Sequence, residues 1–358
     1  MTSAEDKLLA WIRRHSESSV GRAGQLLGDD GAVLAPSGEI AVTVDQQIES
    51  VHFVAGLDPA VLARRLLRVN LSDLAAMGAL PHDAFLALAA PPTFDHRRFF
   101  RALLAELRRF GVRLAGGDLA HGPNVHLSLT LIGAKNGRWL RRGEARRGDR
   151  LWLGGYVGES AAGCALVAKG ARMIGRRVTL SGDSTLAPPL AAVARRAVLR
   201  HLLPEPQLEL SGWLAKQPRA AAIDVSDGVA RDLHRLCRES GVGAEIEAEA
   251  LPLAPRFAEL AAALGRAPLE LALAGGEDYV LLFALPPSVV PPGELGCVPV
   301  GAVTRGPTLE MKKGGATRPL RDVGFDHLSG GRNLGPLRPR ANARRARRGR
   351  GAPRRPPR

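Results

Sequence analysis

Apolar and polar residues follow two periods along this chain, and their succession predicts helices alternating with strands. Leu8, Leu9 and Ile12 place an apolar stripe on a short helix over residues 5–16. Ile40, Val42 and Val44 alternate with Ala41, Thr43 and Asp45, which predicts a strand over 39–45. Thr43 and Asp45 then share a face, toward the side where Asp30 could return from the acidic turn Gly28-Asp29-Asp30-Gly31. After the loop holding His52-Phe53, Asp58 suits a helix N-cap and Pro59 the first helical position. Val61, Leu62, Leu66, Val69 and Leu74 recur along that helix, and Gly78 with Pro81 supplies its stop. Asn70, Ser72 and Asp73 interrupt the apolar run, and a carboxylate in such surroundings needs partners. Capping a neighbouring loop would be the ordinary one.

Residues 95–110 read as another amphipathic helix, and 112–115 lead into Gly116-Gly117-Asp118, an acid at a strand end. Strands are expected over 125–132 and 151–153, a helix over 160–169, and a mobile polar loop over 170–185. A short strand then ends in the acids of Asp224-Val225-Ser226-Asp227-Gly228, with Ser226 placed to cap a helix carrying Val229, Leu233, Leu236 and Cys237. A helix through Leu273 breaks at Gly275-Gly276-Glu277-Asp278-Tyr279, which opens a strand over 280–283. Gly324-Phe325-Asp326-His327 closes the folded part. This order implies an α/β or α+β layered domain in each half, residues 1–150 and 151–330.

At 358 residues the chain is long enough for two cores. It has no apolar run of about 18 residues and no secretory leader, so a cytoplasmic protein without a membrane span is expected. Cys164, Cys237 and Cys297 are too scattered for a disulfide framework or a zinc motif. The net charge of +15 belongs mostly to the eleven arginines of residues 331–358, which leave +4 for the rest. That segment, rich in Arg, Pro, Gly and Ala, lacks the apolar surface to fold, so a disordered basic tail is expected. Such a tail can hold nucleic acid. With 44 Arg against 6 Lys in the chain, it also fits an inert extension in an arginine-rich proteome.

Acids beside glycine or at element ends recur through both halves: Asp29 and Asp30, Asp45, Asp73, Asp118, Asp224 and Asp227, Glu277 and Asp278. One such acid is a turn or cap residue; several suggest a shared cleft. At about 4 Å and an effective dielectric near 20, each carboxylate pair costs roughly 4 kcal/mol before compensation. Divalent cations supply it, and oxygen ligands without paired His or Cys point to Mg²⁺. Glycine lets bare backbone approach phosphate oxygens. The chain has no P-loop, dinucleotide fingerprint or kinase catalytic loop. A metal-dependent phosphoryl-transfer enzyme outside the P-loop class is the reading these residues support.

Taken together the segments resemble the thiamine-monophosphate kinase family, within the ATP-binding superfamily that includes aminoimidazole ribonucleotide (AIR) synthetase. The matching pieces are Gly28-Asp29-Asp30, Val42-Thr43-Val44-Asp45 through His52-Phe53, Asn70-Leu71-Ser72-Asp73 through Pro81, and Gly116-Gly117-Asp118. Arg142 before Gly148-Asp149, Ile223 to Gly228, Gly275 to Tyr279 and Gly324 to His327 complete the set, in the family's order. The resemblance implies transfer of the ATP γ-phosphoryl group to thiamine monophosphate, giving thiamine diphosphate and ADP. It implies a two-domain AIR synthetase-like fold whose N-terminal domains pair in a homodimer. By match, Asp30, Thr43, Asp45, Asp73, Asp118, Asp224 and Asp227 would bind several Mg²⁺ ions. Gly117, Asp118, Arg142 and Ser226 would contact ATP, and His52, Glu277 and Phe325 would hold thiamine monophosphate. No single catalytic residue is expected, because a phosphate monoester with a second pKa of about 6 already offers a nucleophilic oxygen.

Val44, Gln46-Gln47, Leu119 and Val280 depart from residues common in the family, though none removes a carboxylate. The alternatives are another AIR synthetase-like enzyme with a different acceptor, or a nucleic-acid-binding protein acting through its tail. A selenophosphate synthetase fits less well, since the first cysteine is Cys164; so does the hydrogenase-maturation relative, since no cysteine follows Cys297.

Overall fold

The computed structural model describes residues 4–16, 32, 34, 36, 38–181 and 186–324. The expected turn around Asp30, the segment beginning at Phe325 and the basic tail lie outside these residues. Helix α1 (Ala4–Ser16) forms as expected, with Ile12 buried but Leu9 turned to solvent. Strand β1 (Ile40–Ile48), helix α2 (Pro59–Ala76), β2 (Ala79–Ala90), α3 (His96–Arg109), β3 (Arg113–His121) and β4 (His126–Lys135) follow. The strands form one sheet in the order β1-β4-β2-β3, with β2 and β3 parallel and the other pairs antiparallel.

Asp58 caps α2 by accepting the Ala60 N–H at 2.9 Å, as its position predicts. Nearly every side chain of α2 is buried, because the helix lies against β1, β2 and β4 and also meets elements of the second half. Leu62, Leu66, Leu67, Leu71 and Leu74 are buried there, each contributing about 2 kcal/mol. The alternation in β1 is correct, but its apolar side faces away from this core. Ile40, Val42 and Val44 are 42%, 56% and 60% exposed, while Thr43 and Asp45 turn inward toward α2.

One expectation about this sheet needs correction, and one strand, β2, goes beyond what the sequence pattern predicts. Strand β2 follows α2 directly, and Pro81 fits inside it because the register shifts between Pro81 and Asp83. The Gly116-Gly117-Asp118 stretch does not end a strand; it lies within β3. A Cβ on Gly117 would sit 2.0 Å from the Leu86 carbonyl oxygen, so the close approach of β2 demands glycine there.

The second half contains β5 (Arg150–Leu153), α4 (Glu159–Ala168), β6 (Arg172–Ile174), β7 (Arg177–Thr179), α5 (Pro188–Leu202), α6 (Leu208–Leu214), β8 (Ala221–Asp224) and α7 (Val229–Ser240). It continues with β9 (Gly243–Glu247), α8 (Phe257–Ala263), α9 (Pro268–Ala274), β10 (Leu281–Leu285), β11 (Val298–Thr304), β12 (Leu309–Lys313) and β13 (Ala316–Pro319). Seven strands form a sheet in the order β13-β12-β9-β11-β5-β10-β8. The β6–β7 hairpin occupies part of the expected mobile loop; residues 182–185 lie outside the described set. The N-cap of α7 is Gly228 with φ near 113°, and no side chain caps it, so Ser226 does not play the expected capping role. One continuous apolar core joins the inner face of the first sheet, α2 and α3 to α4, α5 and α8. No described helix is long and apolar enough to cross a membrane.

Candidate active site

The site begins where α2 passes between the two sheets. Thr43 Oγ1, on the inward face of β1, donates to Asp73 Oδ2 at 2.6 Å. One residue earlier on the helix, Ser72 Oγ donates to Asp224 Oδ2 at 3.0 Å. Burial raises the Asp73 carboxyl above its ordinary range, and the nearby Asp45 raises it further; Thr43 and Arg142 oppose them. Burial likewise raises Asp224, helped by Asp73 and Asp45 and opposed by Ser72 and Arg142. Thr43, Asp45, Asp73, Asp224 and Arg142 therefore act on one another. Arg142 lies in a short 3-10 turn, Arg142–Glu144, whose carbonyl at 142 accepts from Ser240 Oγ at 2.6 Å.

Asp227 adjoins this cluster through residues that the sequence did not single out. Asp232 Oδ2 accepts the Asp227 N–H at 2.9 Å, and Arg235 Nη1 lies 2.6 Å from Asp227 Oδ2 and 2.9 Å from Asp232 Oδ1. Burial, then Asp224 and Asp227, push Asp232 up to about 7. An i, i+5 acid behind Asp227 with an arginine three residues on was the available signal.

Asp118 is not brought to these acids within the chain. The register aligns Asp45 with Leu129, Leu86 and Gly117, so Asp118 falls on the opposite, outward face with Gln46 and Ala87. Strands β1 and β3 are also three spacings apart, about 14 Å. Asp30 lies outside the described residues, as does Phe325.

The loop preceding β10 closes the other side. Glu277 N donates to Ser226 O at 2.7 Å and Tyr279 N to Val225 O at 2.9 Å, which places Ser226 beside Glu277. Gly276, Glu277 and Tyr279 have φ of 67°, 58° and 51°, a left-handed run unusual for side-chain-bearing residues. Asp278 turns away into the start of α4, accepting from Gly158 N at 2.7 Å and Ser160 N at 3.1 Å. Burial alone would raise Glu277, but Arg65, His201 and His52 prevail and hold it down to about 2. The Arg65 guanidinium pairs with Glu277 Oε1, and His201 Nδ1 lies 3.2 Å from Oε2. His52 Nδ1 accepts from Ile48 N at 3.0 Å. His52, Glu277 and Ser226 thus gather in one region.

Cys164, His201 and Glu277 place ligand atoms within 4.8 Å of one another. This set suits a cation poorly, since Arg65 already occupies the carboxylate and burial pushes the Cys164 thiol up to about 12. The acids around Asp73 suit one well. All their donors are oxygens, and two buried carboxyls, Asp73 raising Asp224 and Asp45 raising both, resist joint ionisation until a positive charge arrives.

Comparison with known proteins agrees with this arrangement. Residues 28–134 match the family AIR synthase related protein, N-terminal domain. The structure of thiamine-monophosphate kinase from Stenotrophomonas maltophilia K279a is similar, with a TM-score of 0.71 and 30% identity over 88% of this chain and 99% of that one. AaThiL complexed with AMPPCP and TMP also gives a TM-score of 0.71, at 28% identity over 89% of this chain and 96% of that one. Thiamine-monophosphate kinase from Salmonella typhimurium is 37% identical over 265 residues, covering 73% of this chain and 76% of the relative. A likeness of that depth, on a chain with this cleft, makes the protein a member of the thiamine-monophosphate kinase family.

Proposed function

We infer that this protein transfers the γ-phosphoryl group of ATP to thiamine monophosphate, giving thiamine diphosphate and ADP. The observation that carries the reading is the convergence of Asp45, Asp73 and Asp224 from three elements, with Arg142 facing them. Thr43, Asp45, Asp73, Asp224 and Asp227 would hold Mg²⁺, with Asp30 and Asp118 completing the set. Bound there, Mg²⁺ neutralises polyphosphate charge. Thr43 and Ser72 orient the two buried acids, and Arg142 adds a fixed positive charge for the polyphosphate. Gly117 and Ser226 would contact ATP, while His52, Glu277 and Phe325 receive thiamine monophosphate. An oxygen of its phosphate attacks the γ-phosphorus as the bridge to ADP breaks. No protein base is required, because that oxygen is already largely ionised.

The protein acts as a homodimer on this reading, with residues 1–150 as the pairing domain and 151–330 completing the cleft. Ile40, Val42, Val44 and Leu80 leave the outward face of the first sheet apolar and open to solvent. Asp118 shares that face, so pairing would place it at the seam between the two protomers. The expected location is the cytoplasm, and the basic tail takes no part in the chemistry.

The test is thiamine diphosphate formation from ATP and thiamine monophosphate, with and without Mg²⁺. Product that requires Mg²⁺ supports the reading. Folded protein that binds ATP but forms no product would overturn the acceptor.

A further inference from the structure

Arg65 has no place in the reaction as read so far, yet it is the largest wholly buried charged side chain among the described residues. Its guanidinium meets three different elements. Nε donates to Gln47 Oε1 on β1 at 3.2 Å, Nη1 to the His201 carbonyl oxygen on α5, and Nη2 to Glu277 Oε1. Gln47 is one of the residues that depart from the family pattern, and here it serves as an acceptor for Arg65. His201 Nδ1 lies 3.2 Å from the second oxygen of Glu277 and 3.3 Å from Ser160 Oγ. Burial lowers the basicity of His201; Glu277 opposes it and Arg65 adds to it.

The pair is lopsided in a way that suits a ligand. The Arg65 side chain is wholly hidden, whereas Glu277 keeps 28% of its side-chain surface open. The cation cannot meet a substrate, but the carboxylate edge can. The left-handed backbone at Glu277 and Tyr279 costs about 1 kcal/mol or more per residue and persists only where the surroundings over-determine it. Arg65 and His201 supply that constraint at the side chain, and Ser226 and Val225 supply it at the backbone.

We propose that Arg65, with His201, is a positioning residue for the acceptor: it fixes the carboxylate of Glu277 in the orientation that receives thiamine monophosphate. This rests on the reading of Glu277 as an acceptor-binding residue. Since Arg65 balances its charge, Glu277 contributes directed hydrogen-bond acceptance more than net attraction for the cationic ring. A guanidinium fork is needed, because three acceptors in different directions exceed what an ammonium point charge can align.

The test is steady-state kinetics of the full chain, varying each substrate at saturating levels of the other. The variants are Arg65→Lys, His201→Leu and His201→Asn, with Glu277→Gln as reference. Arg65→Lys and His201→Leu should raise KM for thiamine monophosphate about tenfold and leave KM for ATP within about twofold. His201→Asn, which keeps a donor near the Nδ1 position, should recover most of the loss. His201→Leu leaves the Arg65 contacts in place, so it remains informative if Arg65→Lys does not fold. Unchanged acceptor KM in folded variants, or equal rises for both substrates with a lowered Tm, would overturn the proposal. Wild-type protein that forms no thiamine diphosphate would overturn the function reading instead. Glu277→Gln with unchanged acceptor KM would overturn the assignment of Glu277 on which the proposal rests.

Discussion

Ser72 Oγ donates to Asp224 Oδ2 at 3.0 Å, joining helix α2 to the last residue of β8. With Thr43 of β1 donating to Asp73, adjacent residues of one helix are tied to both sheets.

Ser72→Ala should weaken metal binding without unfolding the protein. Asp224 would lose a donor that favours its ionised form, and supporting contacts of this kind are worth about 10- to 100-fold in metal affinity. A Mg²⁺ titration of the rate should show a half-saturating concentration about tenfold higher; an unchanged titration would remove Ser72 from the site.

Asp45→Asn and Asp118→Asn should each nearly abolish turnover, by about 100-fold or more, while circular dichroism remains that of wild type. Their mixture separates the two residues. If Asp118 acts across a dimer, each mixed dimer has one intact site, and random pairing restores about a quarter of wild-type activity. If both act within one chain, the mixture stays dead.

Val42→Lys should dissociate the dimer, because it places a charge on the exposed apolar face of β1. Sedimentation or light scattering would read a monomer, and turnover should fall with it. A monomeric wild-type protein with full activity would refute the pairing.

Acid should unfold the chain partly through Glu277. Its native pKa of about 2 lies below the ordinary 4.5, so the unfolded chain takes the proton first. The stabilising contribution is whole above 4.5 and is lost as the pH falls from there toward 2. Urea midpoints across that range should slope less for Glu277→Gln than for wild type. At neutral pH that variant should lose about 3 kcal/mol, because Arg65 is left buried without its counter-charge.

The sequence made the helices with strong caps or periods legible: α2 with Asp58 and Pro59, and α7 with Val229, Leu233 and Leu236. It misled where two physical causes write the same pattern. Alternation in β1 identified a strand but could not say that its apolar side faces outward, since a pairing face and a core face look alike. Glycines at 116 and 117 suggested a strand end, whereas β2 crowds Gly117 from the side. Ser226 has the composition of a cap and does not cap. Asp73 and Asp224 stood out because acids are rare in apolar runs. Arg65 stood in the same run and passed unnoticed, because arginine on a helix usually reaches solvent. What recruits it is Glu277, distant in sequence and brought near only by the fold.

Arg65 and Asp73 stand eight residues apart on α2, about 12 Å along its axis at the ordinary helical rise. The helix is in effect a gauge, with the acceptor's anchor at one mark and the acids at the other. On this reading, length is selected as well as chemistry. A phosphate ester too short for the gauge could settle against Glu277 and never present its oxygen to the γ-phosphorus. A single residue inserted between the marks would lengthen the gauge by about 1.5 Å and turn one mark about 100° from the other.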